Sequence, residues 1–449
     1  MITKIITYIR AVLIIGLLTG AALLAVEVYF VVTNSNRPDF FPEGEPQDMT
    51  SGLFSAYIHE DNPDYEKMKA KGSVLCDFDL DGDLDLYFGY VNSYYFENHG
   101  SVFKDKTIEY NIDDSGCRGV IAGDLDNNGY PDILKWRFMS ETNPNHDCDE
   151  YDYEAICIED PNCIWEENNC WDNSEPQYIP HVMLLNDGNN YFLTQEFRPS
   201  NELPFLHSLG LIDADLDGDL DLLAIQEEND DQFMLYLNQG LNGEGTPQFE
   251  QGYTFYREYG DISASRIIAI ADYDNDGDQD VYVGRKYGYN WFFENQTLTG
   301  PPGDVTYNSN PNPIFIEKAV SLGIADFEVN EIGSMGYGAA WGDYDNDQDF
   351  DLYLANWGVN RLYNNDENSF TNVADGQYLE SDELSNGVSW GDYNNDGMLD
   401  LWTSNIRNPD DVYINVGDGT WDITSSPQFL SATQDVISGD TNGDGWLDV

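Results

Sequence analysis

The sequence predicts an all-β fold, six complete four-stranded sheets and the start of a seventh set in a ring, and three observations predict it. A nine-residue acidic stretch recurs seven times. Each copy sits in the same order of short β-branched and aromatic runs. Where no insertion intervenes the copies stand about 48 residues apart, the start-to-start distances being 47, 89, 59, 71, 49 and 48. Repetition at such a period marks a propeller, a solenoid or an array.

The first 32 residues stand apart from that array. Lys4 and Arg10 flank the start of "AVLIIGLLTGAALLAVEVYFVV", an apolar run to Val32 broken only by Glu27. It is long enough to cross a bilayer as a helix. Positive charge before it and strong negative charge after it place the bulk of the chain outside the cytoplasm. Residues 1–32 are thus expected to be a signal anchor or a signal peptide, and the lack of a small-x-small cleavage site favours the anchor. Residues 33–50, with Pro38, Pro42 and Pro46, read as a linker.

Residues 51–449 form the array. In each unit an apolar run such as "RIIAIAD" or "GAAWGD" leads into the acidic loop. An apolar strand follows ("LDLYFGY", "QDVYVG"), then an aromatic strand ending in a turn ("YYFENHG", "VMLLNDG", "FMLYLNQG", "NWFFENQ"), then a fourth run such as "SVFKDKT" or "GTWDIT". Four antiparallel strands per unit make one blade of a β-propeller, because each small twisted sheet buries both faces only against its neighbours. The chain stops at Val449, one residue after the last acid of the seventh loop. Six complete blades and a truncated seventh are therefore expected, with Leu53 to Ile58 available as a closing outer strand.

The loops carry the chemistry. In the first copy, positions 1, 3, 5, 7 and 9 are Asp77, Asp79, Asp81, Asp83 and Asp85; in the second, Asp124, Asp126, Asn128, Tyr130 and Asp132. The third has Asp213, Asp215, Asp217, Asp219 and Asp221, and the fourth Asp272, Asp274, Asp276, Asp278 and Asp280. The fifth has Asp343, Asp345, Asp347, Asp349 and Asp351, and the sixth Asp392, Asn394, Asp396, Met398 and Asp400. The seventh has Asp440, Asn442, Asp444, Trp446 and Asp448. Calcium wants six to eight oxygens, and alternate side chains of a curled loop can converge on one ion. Position 7 varies in type, as suits a carbonyl ligand, and the invariant Asp at position 9 is expected to reach back with both oxygens. Up to seven calcium ions are implied.

Other readings of the loops fail on spacing. An EF-hand needs a bidentate Glu at position 12 and flanking helices. Position 12 is Phe88, Lys135, Ala224, Val283, Leu354 or Thr403 here. Dockerin-type loops fail the same test. Solvated acidic turns would account for one copy, but not for seven sharing a ninth-position Asp. The carboxylates are tolerated together because a divalent cation sits among them.

On "GYGAAWGDYDNDQDFDLYLANWGVNRLYNND" (Gly336 to Asp366) and "NGVSWGDYNNDGMLDLW" (Asn386 to Trp402), the chain resembles the FG-GAP/VCBS repeat family, the calcium-loop propellers of integrin α-subunits. The cartilage-acidic-protein-like branch is the most similar. The resemblance runs from about Leu53 to the end. It implies that positions 1, 3, 5 and 9 bind calcium through side chains and position 7 through its carbonyl. Two departures stand out: Gln348 replaces the loop glycine of the fifth copy, and Asn394 and Asn442 lower the charge of the last two. Those three sites are expected to be the weakest.

Charge and cysteine narrow the function. Nineteen basic against 83 acidic residues give −64, and seven calcium ions would bring this only to −50. Such a surface repels nucleic acid and anionic headgroups. Cys148, Cys157, Cys163 and Cys170 lie within 23 residues inside the insertion 137–180 of the second blade. That spacing suggests two disulfides rather than a zinc site, and an oxidising compartment. Cys76 and Cys117 are left open. Residues 297–313 read as a loop of the fourth blade. His59, His99, His146, His181 and His207 are scattered, and no Gly-x-Ser-x-Gly, His-Glu-x-x-His or phosphate loop occurs. One glycosylation sequon is present, Asn295-Gln296-Thr297.

The expectation is an extracellular or cell-surface, monomeric calcium-binding scaffold that recognises protein or glycan without catalysis. It would touch membrane only through its N-terminus. A carbohydrate-active enzyme on the same fold and a purely structural surface protein are the alternatives.

Overall fold

The computed structural model describes residues 72–89, 92–136, 163–166, 169–172, 181–197, 206–226, 232–256, 265–299, 306–308, 314–326, 335–379, 384–425 and 436–449, apart from 101, 114, 190, 286, 287, 378, 407 and 418. They form six four-stranded antiparallel sheets in a propeller arrangement. The first contains Gly72–Cys76, Asp85–Gly89, Ser93–Asn98 and Phe103–Asp105, paired in chain order. The others span 119–197, 206–256, 265–317, 335–372 and 385–425, and follow the same order. First strands of neighbouring sheets run side by side, so each blade starts at the inside of the ring.

Period-two side-chain alternation builds the core. In the second strand of the third sheet, Leu222 and Ala224 pack towards the second sheet, and Leu223 and Ile225 towards the fourth. Leu352 and Leu354 likewise face the fourth sheet while Tyr353 and Ala355 face the sixth. Both faces of the second strands are covered, so apolar residues follow one another directly, as Leu222 to Ile225 do. The innermost strands approach so closely that a Cβ on Gly72 would lie 2.7 Å from the Gly119 Cα, a contact only glycine permits.

Residues 436–449 lie between the sixth and first sheets. Ser438 Oγ and Ser389 Oγ are 2.9 Å apart, Leu447 packs on Gly391, and Leu75 and Leu84 pack on Gly439. Gly439 and Asp448 form an antiparallel bridge across the seventh loop. Two one-turn helices, Ala319–Leu322 and Ala374–Gln377, follow the fourth strands of the fourth and fifth sheets. Sequence reading does not anticipate either, for both are too short to show a period.

The hydrophobic segment 1–32, the linker, Leu53 to Ile58, Cys148 and Cys157 lie outside the described residues. Among the described residues no helix is long and apolar enough to cross a membrane. Within the 137–180 insertion, Cys163–Glu166 and Asn169–Asp172 form a hairpin in which Cys163 opposes Asp172 and Cys170 opposes Trp165. Cys76 and Cys117 do not form a disulfide; Ser93 Oγ lies 3.9 Å from Cys117 Sγ.

Candidate metal centres

Six of the acidic loops join the first strand of a sheet to the second, and so leave the same rim; the seventh lies within the Gly439–Asp448 bridge. The backbone turns by placing position 4 in the left-handed region, with φ between 57° and 61° at Leu80, Asn127, Leu216, Asn275, Asn346 and Asn395. Position 6 is left-handed too, which glycine accepts freely. Gln348 holds φ 81° at that position, at a cost of about 1–2 kcal/mol for a residue with a Cβ. This is the physical content of the one glycine replacement in the repeat.

Inside the turn the carboxylates serve the backbone first. Position 1 accepts the N–H groups of positions 5 and 6: Asp77 takes them from Asp81 and Gly82 at 3.1 and 3.0 Å, Asp343 from Asp347 and Gln348 at 3.0 Å each. Position 3 accepts position 5, as in Asp79 to Asp81 at 3.2 Å, and position 5 accepts position 7, as in Asp217 to Asp219 at 2.9 Å. Asn394 and Asn442 make the position-3 bond with their amide oxygens, at 2.9 Å each. Their smaller charge therefore leaves the loop geometry intact.

The oxygens left over converge. Carboxylate oxygens of Asp77, Asp79 and Asp85 all lie within 4.8 Å of one another, as do those of Asp124, Asp126 and Asp132, and of Asp213, Asp215 and Asp221. In the fourth and fifth loops the groups are Asp272, Asp274 and Asp276, and Asp343, Asp345 and Asp347. Calcium–oxygen distances are 2.3–2.6 Å, so oxygens separated by up to about 5 Å can share one ion. The donors are all hard oxygens, which suits calcium rather than zinc. Asp213 Oδ1 and Asp278 Oδ1 are screened from solvent and have no hydrogen-bond partner. The residues fit a divalent cation.

Position 9 carries a second duty. Sequence reading gives both of its oxygens to the ion, yet in all seven loops Oδ2 accepts the N–H of position 2, from 2.8 Å at Asp132 to 3.2 Å at Asp280. In the six complete sheets Oδ1 accepts the N–H of an asparagine that ends, or nearly ends, the third strand, at 2.7–2.8 Å. Both oxygens are thus committed to the fold, and any ion shares them through their remaining lone pairs. Burial pushes these carboxyls up, Asp85 to about 7 and Asp132, Asp221, Asp351 and Asp400 to about 8. Asp213, Asp272 and Asp274 rise to about 6, again chiefly through burial, with neighbouring aspartates adding to it.

Those asparagines tie the ring together, a role the sequence reading misses. Each Nδ2 donates to the position-2 carbonyl of the preceding loop: Asn186 to Phe78 at 2.8 Å, Asn238 to Leu125 at 3.1 Å, Asn295 to Ala214 at 3.0 Å. Asn365 reaches Tyr273 at 3.0 Å and Asn415 reaches Tyr344 at 2.7 Å. Asn98 of the first sheet donates to Thr441 of the seventh loop at 2.6 Å, so the series runs on from the seventh loop to the first sheet. The signal was present as the Asn that closes every aromatic strand. Replacing Asn238 with Ala should cost about 1–3 kcal/mol in chemical denaturation, because the Leu125 and Leu220 carbonyls lose their donor.

This linkage also corrects the sequon. Asn295 is fully buried and its amide is held by Ala214, so it offers no attachment point for a glycan. Position 7 also has a side-chain role. Asp83 Oδ2 accepts the Gly100 N–H at 2.7 Å and Asp349 Oδ2 that of Glu367 at 2.9 Å, so an acid there pins the loop to the turn after the third strand. His99 lies 2.8 Å from Glu97 and His181 is a buried strand residue.

The FG-GAP-like repeat matches residues 77–134, 213–283, 343–403 and 392–449, which together make up more than half of the chain. The chain belongs to the FG-GAP-like repeat family. No curated protein matches it. Among solved structures, this FG-GAP chain is similar to an Agrocybe aegerita lectin that recognises non-reducing terminal N-acetylglucosamine, at 13% identity over 80% of each chain with a TM-score of 0.43. Saccharomyces cerevisiae Sqt1 matches at 8% identity over 82% of this chain and 88% of its own, with a TM-score of 0.42. The Malassezia sympodialis allergen Mala s 1 matches at 9% identity over 56% and 72%, with a TM-score of 0.32.

Proposed function

We propose that this FG-GAP propeller is an extracellular calcium-binding scaffold that recognises a protein or glycan without catalysis, and that its ring has seven sectors. The observation that carries the reading is the convergence of oxygens in loop after loop along one rim. Calcium supplies the positive charge that such loops lack. The residues that would hold it are those of positions 1, 3, 5 and 9, with the carbonyl of position 7. The Asn98 link to the seventh loop supports the seven-sector count. The N-terminal apolar run and the acidic surface support export, into a compartment where calcium is abundant. The cartilage-acidic-protein-like branch remains the preferred affiliation.

Two measurements test the reading together. Elemental analysis after dialysis against millimolar calcium should find several ions per chain, and their absence would remove the proposal. Immobilised protein challenged with a panel of extracellular proteins and polysaccharides should retain a ligand with calcium and release it with chelator. Soluble product from any polysaccharide would instead support the enzyme.

A further inference from the structure

The fourth loop differs from its six sisters in being covered. Asp276 is 7% exposed and Asp278 is 0% exposed, whereas positions 5 and 7 of every other loop reach solvent. The cover comes from the segment after the third strand of that sheet. Leu298 stands over Gly277, where an added Cβ would meet its methyl at 3.3 Å, and its N–H donates to Asp278 Oδ2 at 2.5 Å. Leu298–Thr299 pairs with Thr306–Tyr307, and the Tyr307 hydroxyl donates to the Asp215 carbonyl of the third loop at 3.3 Å. The inserted hairpin is therefore strapped across two neighbouring loops.

Beneath it, Asp278 has one oxygen satisfied and one without any partner. Oδ2 accepts Leu298; Oδ1 is buried and unbonded. The Asp278 N–H donates to Asp276 Oδ1 at 3.1 Å, and Asp276 is one of the three carboxylates, with Asp272 and Asp274, whose oxygens converge in this loop. Two screened carboxylates side by side repel, and a shared divalent ion converts that repulsion into attraction. At Asp83 and Asp349 the same Oδ2 contact is made, but those side chains are partly open to water.

We propose that the Asp278 side chain is itself a ligand, giving the fourth loop one more carboxylate than its sisters and making it the tightest cation site of the ring. This rests on the reading that the loops bind calcium. Ligand charge and site rigidity set calcium affinity; a ligating Asp278 raises the first, and the Leu298 cover the second. Asp278→Asn is the informative variant, because the amide oxygen still accepts the Leu298 N–H while the charge is lost. Asp349→Asn, at the same position of an uncovered loop, is its control.

After dialysis at about 10⁻⁶ M free calcium, a level that only tight sites hold, wild type and Asp349→Asn should each retain one ion. Asp278→Asn should retain none, its tightest dissociation constant weakened about tenfold or more. Unchanged retention and affinity in Asp278→Asn would overturn the assignment while leaving calcium binding by the ring in place. Absence of metal from wild type even at millimolar calcium would instead remove the underlying reading. A readout on the unaltered protein guards against misfolding of the variant. The first equivalent of terbium, sensitised by the adjacent Tyr273, should show a luminescence lifetime in H₂O and D₂O that corresponds to no more than one bound water. Two or more waters would place that ion in an open loop and overturn the assignment.

Discussion

Removing calcium should lower the melting temperature by roughly 15–20 °C. With free ion at about ten times the dissociation constant, each loop contributes roughly 1.4 kcal/mol by mass action. Seven such loops sum to about 10 kcal/mol, against a typical domain stability of ~5–15 kcal/mol. At roughly 2 °C per kcal/mol for a domain this large, the stated shift follows. The effect should also change with pH in a defined direction. The carboxyls of Asp132, Asp221, Asp351 and Asp400 are pushed from 3.8 to about 8 in the metal-free fold, chiefly by burial. Folded, metal-free protein then keeps protons there that the unfolded chain releases above pH ~4, so its stability falls as pH rises from about 4 to 8. Calcium needs those groups ionised and binds better as pH rises. The increment that calcium adds should therefore grow between pH 5 and pH 8. Melts with calcium and with chelator at both values check this, and superimposable curves would contradict it.

What the sequence displays and what it hides divide by range. The acidic loop is local: its ligands alternate within nine residues, and the turn glycine stands beside them. The second strands are legible as well, because a strand covered on both faces carries consecutive apolar residues, as Leu222 to Ile225 do. The links between blades are not legible. Asn186 meets Phe78 across 108 residues and Asn98 meets Thr441 across 343. Those asparagines look like ordinary turn formers until neighbouring sheets are placed against one another. The same is true of Asp278, which matches Asp83 and Asp349 in the repeat and differs only because a hairpin twenty residues on folds over it. Position 9 hides a second duty for a related reason. Its invariance reads as metal ligation, whereas two backbone N–H groups require it whether or not an ion is bound.

That double demand makes position 9 the site of the largest single-residue effect. Asp351→Ala should cost about 2–6 kcal/mol, since it strands the buried N–H groups of Tyr344 and Asn365, each worth about 1–3 kcal/mol when unsatisfied. The damage should extend to the preceding blade, because the backbone of Asn365 is fixed by Asp351 while its side chain holds the Tyr273 carbonyl of the fourth loop. Asp347→Ala, in the same loop, is the contrast. Asp347 is exposed and accepts only the Asp349 N–H, which water can replace. Its loss should weaken the protein in calcium and leave it nearly unchanged in chelator, whereas Asp351→Ala should be destabilised in both. Urea denaturation of the two variants under both conditions separates the roles. A position-9 variant whose penalty vanished in chelator would return Asp351 to the status of a ligand alone, and the hydrogen bonds that now define it as a structural carboxylate would have to be secondary.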